Sequence, residues 1–411
     1  MENPRAFNCL ICTYETIKSI MHIHQSMSAR LYLRSDNYLA SHEKEMIELE
    51  VCQEGIDIMV AKMRHLTFMV RELDPRAANV LKQEMLAADG EAAIPYHALS
   101  DLSKPTDCLI SGTQRQFQIV VAKLVTQPFG LKALAEDLAE AMKALDRPRE
   151  RPRIMGILNA TPDSFSDGGE FLEPEAAIAH AKRMKDEGAD IIDIGGESTR
   201  PGAEIVSPEQ QLERVLPVIQ VLKGHDLMIS IDSRSHVVVE RAIQEGASMA
   251  NLVGGLRDKD MANVLAGVNV PIVLMHMQGE PHNMQDNPEY QDVMDDIVDW
   301  AREQISVAEE AGIGKDRVII DPGIGFGKTL EHNLEIINRL GELRVLGVPI
   351  LLGPSRKSFI GKITGAEAGQ RLEGSLAAAV LGHANGADIL RVHDVKETAL
   401  ALAVAHAVHH G

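Results

Sequence analysis

Residues 156–169 read GILNATPDSFSDGG. The apolar run 154–158 ends in Asn159, and Pro, Gly, Ser and Asp then dominate as far as Gly169. Such a stretch reads as a short buried strand feeding a polar loop. A helical stretch follows, and the strand–loop–helix unit recurs to the end of the chain. Polar residues at the C-terminal end of a strand are where parallel α/β proteins carry their chemistry. The loop from Asn159 to Gly169 is therefore expected to form the first wall of an active site.

Working outward, apolar strand candidates lie at 154–158, 191–194, 227–231, 249–253, 271–275, 318–320, 349–352 and 389–392. Helical segments separate them, and Gly-Ala pairs such as Gly188-Ala189, Gly246-Ala247 and Gly386-Ala387 close helices before the next strand. Eight units in roughly 260 residues match a (β/α)8 barrel in count and length. An open doubly wound sheet would carry a Gly-rich dinucleotide turn after its first strand, and none stands there. The α/β fold class expected is thus a (β/α)8 TIM barrel preceded by a small α+β N-terminal domain.

Upstream, 1–26 reads as a frayed N-terminal segment or as residues ahead of a later start at Met27. Cys9-Leu-Ile-Cys12 has metal or redox spacing, but no second CxxC accompanies it, so chance is the better reading. Residues 27–146 read as the small α+β domain. It has a strand at 65–73, a helix opened by Asp74-Pro75, short strands at 92–98 and 108–111, and helices at 115–125 and 131–145. Residues 147–152, RPRERP, form a charged, Pro-bearing linker, and 153–411 the barrel.

The formal net charge of −19 argues against a general nucleic-acid binder. No apolar run long enough to span a membrane and no basic-then-apolar leader stands out, so a cytoplasmic protein is expected. With only 3% aromatic residues, the aliphatic side chains and Met must fill the core.

All eight strands end in polar groups: Asn159, Asp193, Asp232, Asn251, His276, Asp321, the Gly353–Lys357 stretch, and Arg391 with His393. Lys357, Arg391 and His393 fall after strands seven and eight, the usual phosphate corner of a barrel. Asp232, Asn251 and Asp321 offer acceptors suited to a heterocycle rich in N–H donors. Asn159 beside that corner suits Mg²⁺, which takes few protein ligands when phosphate oxygens are present. The Gly323–Thr329 stretch imitates a phosphate-binding loop, but Pro322 stands where a P-loop needs Gly, so nucleotide hydrolysis is rejected.

Taken together, NATPDSFSDGG, GADIIDIGGESTRPGA, ISIDS, LMHMQG, DPGIGFGKTLEHN, SRKSFIG and RVHDV resemble the successive signatures of the dihydropteroate synthase family, covering about 153–411. The resemblance implies a (β/α)8 barrel that condenses 6-hydroxymethyl-7,8-dihydropterin pyrophosphate with 4-aminobenzoate, giving 7,8-dihydropteroate and pyrophosphate. It assigns Asn159 to Mg²⁺, and Asp232, Asn251, Asp321 and Lys357 to the pterin, with Met275 packing on the ring and Gly353 close by. Arg391 and His393 would bind the pyrophosphate, joined by Thr199 or Arg200. Phe326, Ser355 and Pro201 would line the aminobenzoate approach. Of these, Asp232, Asp321, Lys357 and Arg391 would be catalytic. Leu252 stands where the family usually has Asp. A homodimer with small-molecule substrates is implied. The rivals are a corrinoid-linked pterin-binding methyltransferase, which needs no pyrophosphate corner, and a non-catalytic pterin-binding homologue.

Overall fold

The computed structural model describes residues 39–147, 150–160, 174–197, 206–279, 284–285 and 287–410. The Cys9–Cys12 spacing, residues 161–169, and Thr199, Arg200 and Pro201 lie outside the described residues. By its contacts the chain forms two compact units, Met1–Val60 and Ala61–Gly411. In the first, α1 spans Leu39–Glu48, followed by α2, Gln53–Met63, which runs to the unit boundary and beyond.

The second unit opens with a three-stranded antiparallel sheet of order β1-β3-β2, formed by β1 (His65–Leu73), β2 (Glu91–Ala93) and β3 (Thr106–Thr113). Helices α3 (Pro75–Leu86), α5 (Gln114–Leu124) and α6 (Leu131–Leu145) build a core with it from Leu81, Met85, Ile110, Phe117, Leu124 and Leu138. Asp74 caps α3 as the sequence suggests, its carboxylate accepting from the Arg76 N–H at 2.8 Å. The second strand stops at Ala93, short of the expected 98, because Pro95 cannot donate to a ladder. His97–Ser100 forms a one-turn helix, α4, instead.

The barrel strands are β4 (Arg153–Asn159), β5 (Ile191–Gly195), β6 (Met228–Asp232), β7 (Met249–Val253), β8 (Ile272–Met275), β9 (Val318–Asp321), β10 (Leu351–Leu352) and β11 (Ile389–Val392). They pair in parallel in the order β10-β11-β4-β5-β6-β7-β8-β9, and a parallel bridge between Ile320 and Ile350 closes the ring. β10 is shorter than the expected 349–352 because Pro349 has no N–H. Its carbonyl still accepts from the Ile320 N–H at 3.0 Å. Outside the ring run α7 (Pro174–Asp186), α8 (Pro208–Leu222), α9 (His236–Glu245), α10 (Lys259–Ala266), α11 (Val293–Glu310), α12 (Leu330–Arg339), α13 (Ser358–Thr364), α14 (Leu372–Ala384) and α15 (Val395–His410).

Strand residues alternate between two cores, as a two-residue period requires. Ile154, Leu158, Ile192, Ile231, Ala250, Leu252 and Leu274 face the helices. On this outer face Gly156 permits close packing, since a Cβ there would come within 2.8 Å of Met184 Sδ. Met155, Ile191, Met249, Val273, Ile319, Leu351 and Ile389 plug the interior, with Met228 packed against them. Two residues beyond this plug, on the same inward face, lie Asp193, Asn251, Met275, Asp321, Gly353 and Arg391. Asp232 stands a further step up β6. The site is thus a polar layer laid directly on an apolar floor.

Candidate active site

Inward carboxylates dominate the layer. Asp232 on β6 pairs in register with Asn251 on β7, and Asp321 on β9 with Met275 on β8. Arg391 on β11 reaches across to donate from Nε to Asp193 Oδ2 at 2.7 Å and from Nη2 to Asp232 Oδ2 at 2.8 Å. Asn251 Nδ2 donates to the same Asp193 Oδ2 at 3.0 Å. Burial, then the neighbouring Asp193 charge, push Asp232 above the ordinary carboxylate range, while Arg391 pulls it back. Burial likewise raises Asp321 to about 6, against its hydrogen bond from the Gly323 N–H and the charge of Lys357. Burial works against the Arg391 charge, but Asp193 and Asp232 outweigh it, so the guanidinium is held more firmly protonated than usual.

The cationic corner is less charged than its composition suggests. Burial, then the nearby Arg391, push His393 down to about 3, so the imidazole is neutral at pH 7. Ser355 Oγ accepts from the His393 backbone N–H at 3.2 Å and lies 3.1 Å from Nδ1. Either atom can donate in that contact, depending on the tautomer of the neutral ring, and in both tautomers one ring N–H is present. His393 therefore supplies a hydrogen bond and not a charge. Arg356, between Ser355 and Lys357, takes no part in the pocket. It pairs with Asp394 through Nε at 3.0 Å and Nη2, and so braces the loop to the start of α15.

Lys357 caps α13 and holds its Nζ 4.0 Å from the centre of the Phe326 ring. Phe326 packs in turn on the apolar group of Val253, Met275, Met277 and Met284. The loop carrying Phe326 is fixed at several points. The Gly325 N–H donates to Asn333 Oδ1 at 2.7 Å, Gln285 Nε2 donates to Gly325 O at 2.7 Å, and Tyr290 donates to Gly327 O at 2.8 Å. Gly323 has φ +71°, and any Cβ would stand 1.9 Å from His276 O, so only glycine serves there. The resemblance to a phosphate loop arises from this packing need.

Buried Lys328 donates from Nζ to Phe326 O at 3.0 Å and lies 2.9 Å from His276 Nδ1. Burial drives it down to about 7, against the pull of Asp321, and burial together with Lys328 drives His276 to about 2. His276 is thus a neutral imidazole behind the pocket. Asn159, half-buried at the end of β4, pairs in register with Gly195 and lies on the strand next to β11. Among the described residues Asn159 brings one amide oxygen to the strand beside Arg391, the kind of sparse donor set that Mg²⁺ takes when it is bound mainly through phosphate and water oxygens. Leu252 points to the helices and is buried among them, so whatever residue stands there cannot enter the pocket.

Asp193 is the residue that the strand-end reading passed over, since it was noted as polar and given no role. It is fully buried and joins Arg391 to Asn251. A lone carboxylate at an inward position of an otherwise apolar strand was the available signal.

The family model described as "Pterin binding enzyme" matches residues 155–393. A dihydropteroate synthase of Clostridium beijerinckii is 50% identical over 255 residues, 61% of this chain and 92% of that protein. This chain belongs to the dihydropteroate synthase family. The synthase of Xanthomonas albilineans, solved with 4-aminobenzoic acid, is 48% identical and superposes with a TM-score of 0.60 over 65% of this chain and 95% of that one. A probable bifunctional folylpolyglutamate synthase/dihydropteroate synthase of Halobacterium salinarum is 40% identical over 372 residues, 88% of this chain. That match is longer than the synthase barrel, so it takes in part of the region before Arg153. The chain spans 45% of that protein's length.

Proposed function

We infer that this protein is a dihydropteroate synthase, a transferase joining 6-hydroxymethyl-7,8-dihydropterin pyrophosphate to 4-aminobenzoate with release of pyrophosphate. The observation that carries the reading is the buried inward layer in which Asp232, Asn251 and Asp321 offer acceptors while Arg391 and His393 offer donors one strand from Asn159. Acceptors on one side and donors on the other suit a molecule with a donor-rich ring at one end and an anion at the other.

Asp232, Asn251, Asp321 and Lys357 hold the pterin, with Met275 against its face and Gly353 leaving room at the edge. As the C–O bond to pyrophosphate breaks, positive charge grows on the exocyclic methylene and ring, where Asp232 and Asp321 stabilise it. Arg391 and neutral His393 donate to the departing oxygens, and Thr199 and Arg200 belong to the same role. Bound Mg²⁺, with Asn159 as its protein ligand, would neutralise pyrophosphate charge. The arylamine is uncharged at pH 7 and needs positioning more than deprotonation. Phe326, Ser355 and Pro201 line its approach. Chromatographic detection of 7,8-dihydropteroate from the two substrates, with Mg²⁺ and with chelator, tests the reading. No product from correctly folded protein in Mg²⁺ would refute it.

The partner in assembly is a second copy. Leu400, Val404 and Val408 recur every four residues along α15 and are 62–69% exposed, and α14, packed on α15, exposes Leu381. An apolar stripe of this kind on a helix suits a self-complementary contact. Sedimentation should show a dimer for the wild type and a monomer for Leu400→Glu/Val404→Glu.

A further inference from the structure

We propose that Asp193 is a positioning residue that sets both the guanidinium of Arg391 and the acceptor face of Asn251. The proposal rests on the reading of this layer as the pterin site. Asp193 lies on β5, Arg391 on β11 and Asn251 on β7, so its single Oδ2 ties together two strands, each two places away around the barrel. Arg391 uses Nε on Asp193, which leaves the two Nη groups as the fork that faces Asp232 and the space above it.

For Asn251 the consequence is specificity. Its Nδ2 is engaged by Asp193, so its Oδ1 is the atom turned toward the pocket. With Asp232 and Asp321 alongside, these three side chains form a row of acceptors, with Lys357 the donor beside them, and a heterocycle edge that presents acceptors to that row is repelled. Without Asp193 the amide can turn over and place a donor in that row. The other oxygen, Asp193 Oδ1, is buried with no hydrogen-bond partner among the described residues. A carboxylate so placed costs stability, which is understandable if its work is orientation.

Asp193→Asn and Asp193→Ala separate the roles. Asn can still accept from Nε and Nδ2 through its one oxygen but carries no charge, whereas Ala can do neither. Calorimetry should find pterin alcohol binding near wild type for Asn and weaker by roughly tenfold or more for Ala, as expected of a misplaced contact. KM for the pterin pyrophosphate should rise in both, and KM for 4-aminobenzoate should stay within about twofold of wild type. Asp232 faces Asp193 on β5, Glu197 just beyond it, Arg391 on β11 and Lys357 after β10. Removing the Asp193 charge should therefore move the acid limb of kcat/KM to lower pH. Equal losses in both variants that track thermal unfolding, with an unmoved pH profile, would show that Asp193 is only structural. Pterin binding is read without turnover, so a wild type that binds pterin but forms no product would sink the functional reading and leave this one standing.

Discussion

Arg391 and Asp193 stand on strands separated by β4 and meet through a 2.7 Å hydrogen bond from Nε to Oδ2. The same guanidinium serves Asp232 at 2.8 Å, so one cation balances two buried carboxylates before any substrate arrives.

Replacing Arg391 therefore touches stability as well as binding. Arg391→Ala should lower the unfolding free energy by about 3–5 kcal/mol, because it strands buried carboxylates without their cation. It should also weaken the pterin pyrophosphate more than the pterin alcohol, by on the order of 2–5 kcal/mol. Arg391→Lys keeps the charge but not the fork, and should recover stability better than pyrophosphate affinity. Equal weakening for the two ligands in titration calorimetry would exclude a pyrophosphate contact.

Asp321→Asn keeps the size of the side chain but turns one acceptor into a donor. Against a donor-rich ring edge this should cost about 1–3 kcal/mol of pterin affinity. The Gly323 N–H, which donates to Asp321 Oδ1 at 2.7 Å, will keep the amide oxygen, so the new NH2 faces the ligand. Wild-type affinity in this variant would remove Asp321 from the ring site.

Lys328 gives a pH test. Its folded pKa, about 7, is below the unfolded value of 10.5. Between these limits the unfolded chain binds a proton that the folded chain does not, so stability rises as pH increases from about 7 toward 10.5. Below pH 7 both states are protonated and the full cost of the buried ammonium is felt. Wild type should thus gain on Lys328→Met by up to about 1.4 kcal/mol per pH unit in that window. Denaturant melts at pH 7, 8 and 9 measure this, and a constant difference would refute it.

The three-stranded sheet and α6 lean on the barrel. Arg344 donates to Arg147 O at 2.8 Å, Arg71 Nε donates to Asp295 Oδ2 at 2.9 Å, and α6 packs on the turn Leu340–Leu346. A fragment beginning near Arg147 keeps every inward pocket residue but uncovers that turn. It should retain synthase activity while melting several degrees lower or associating. Soluble, folded but inactive fragment would show that the sheet completes the site.

The barrel was legible because its strands are short apolar runs that end in polar residues, and Asp193, Asp232, Asn251, Asp321 and Arg391 share one inward face, whereas His276 lies behind it against Lys328. Asp232, Asn251 and Asp321 could be chosen from that pattern alone. The role of Asp193 could not, since its partners are 198 and 58 residues away in sequence and only closure of the ring brings them near. His393 stands in the phosphate corner that the strand ends indicate, as a donor group. Its neutrality depends on burial beside Arg391, which no local motif encodes. Lys328 was set aside with the false phosphate loop, and its contact with His276 crosses between the loops after β8 and β9.

The pocket residues stand an even number of positions above the apolar plug on their own strands. A single residue inserted within β5, β6, β7 or β9 would turn its carboxylate or amide outward among the helices and bring an aliphatic side chain into the pocket. A substitution thus alters one position of the site, whereas a change of count within a strand displaces every side chain beyond it. Growth and shrinkage are confined to the stretches beyond each strand end, so any shift in what this enzyme accepts has to arise there or by exchange in place.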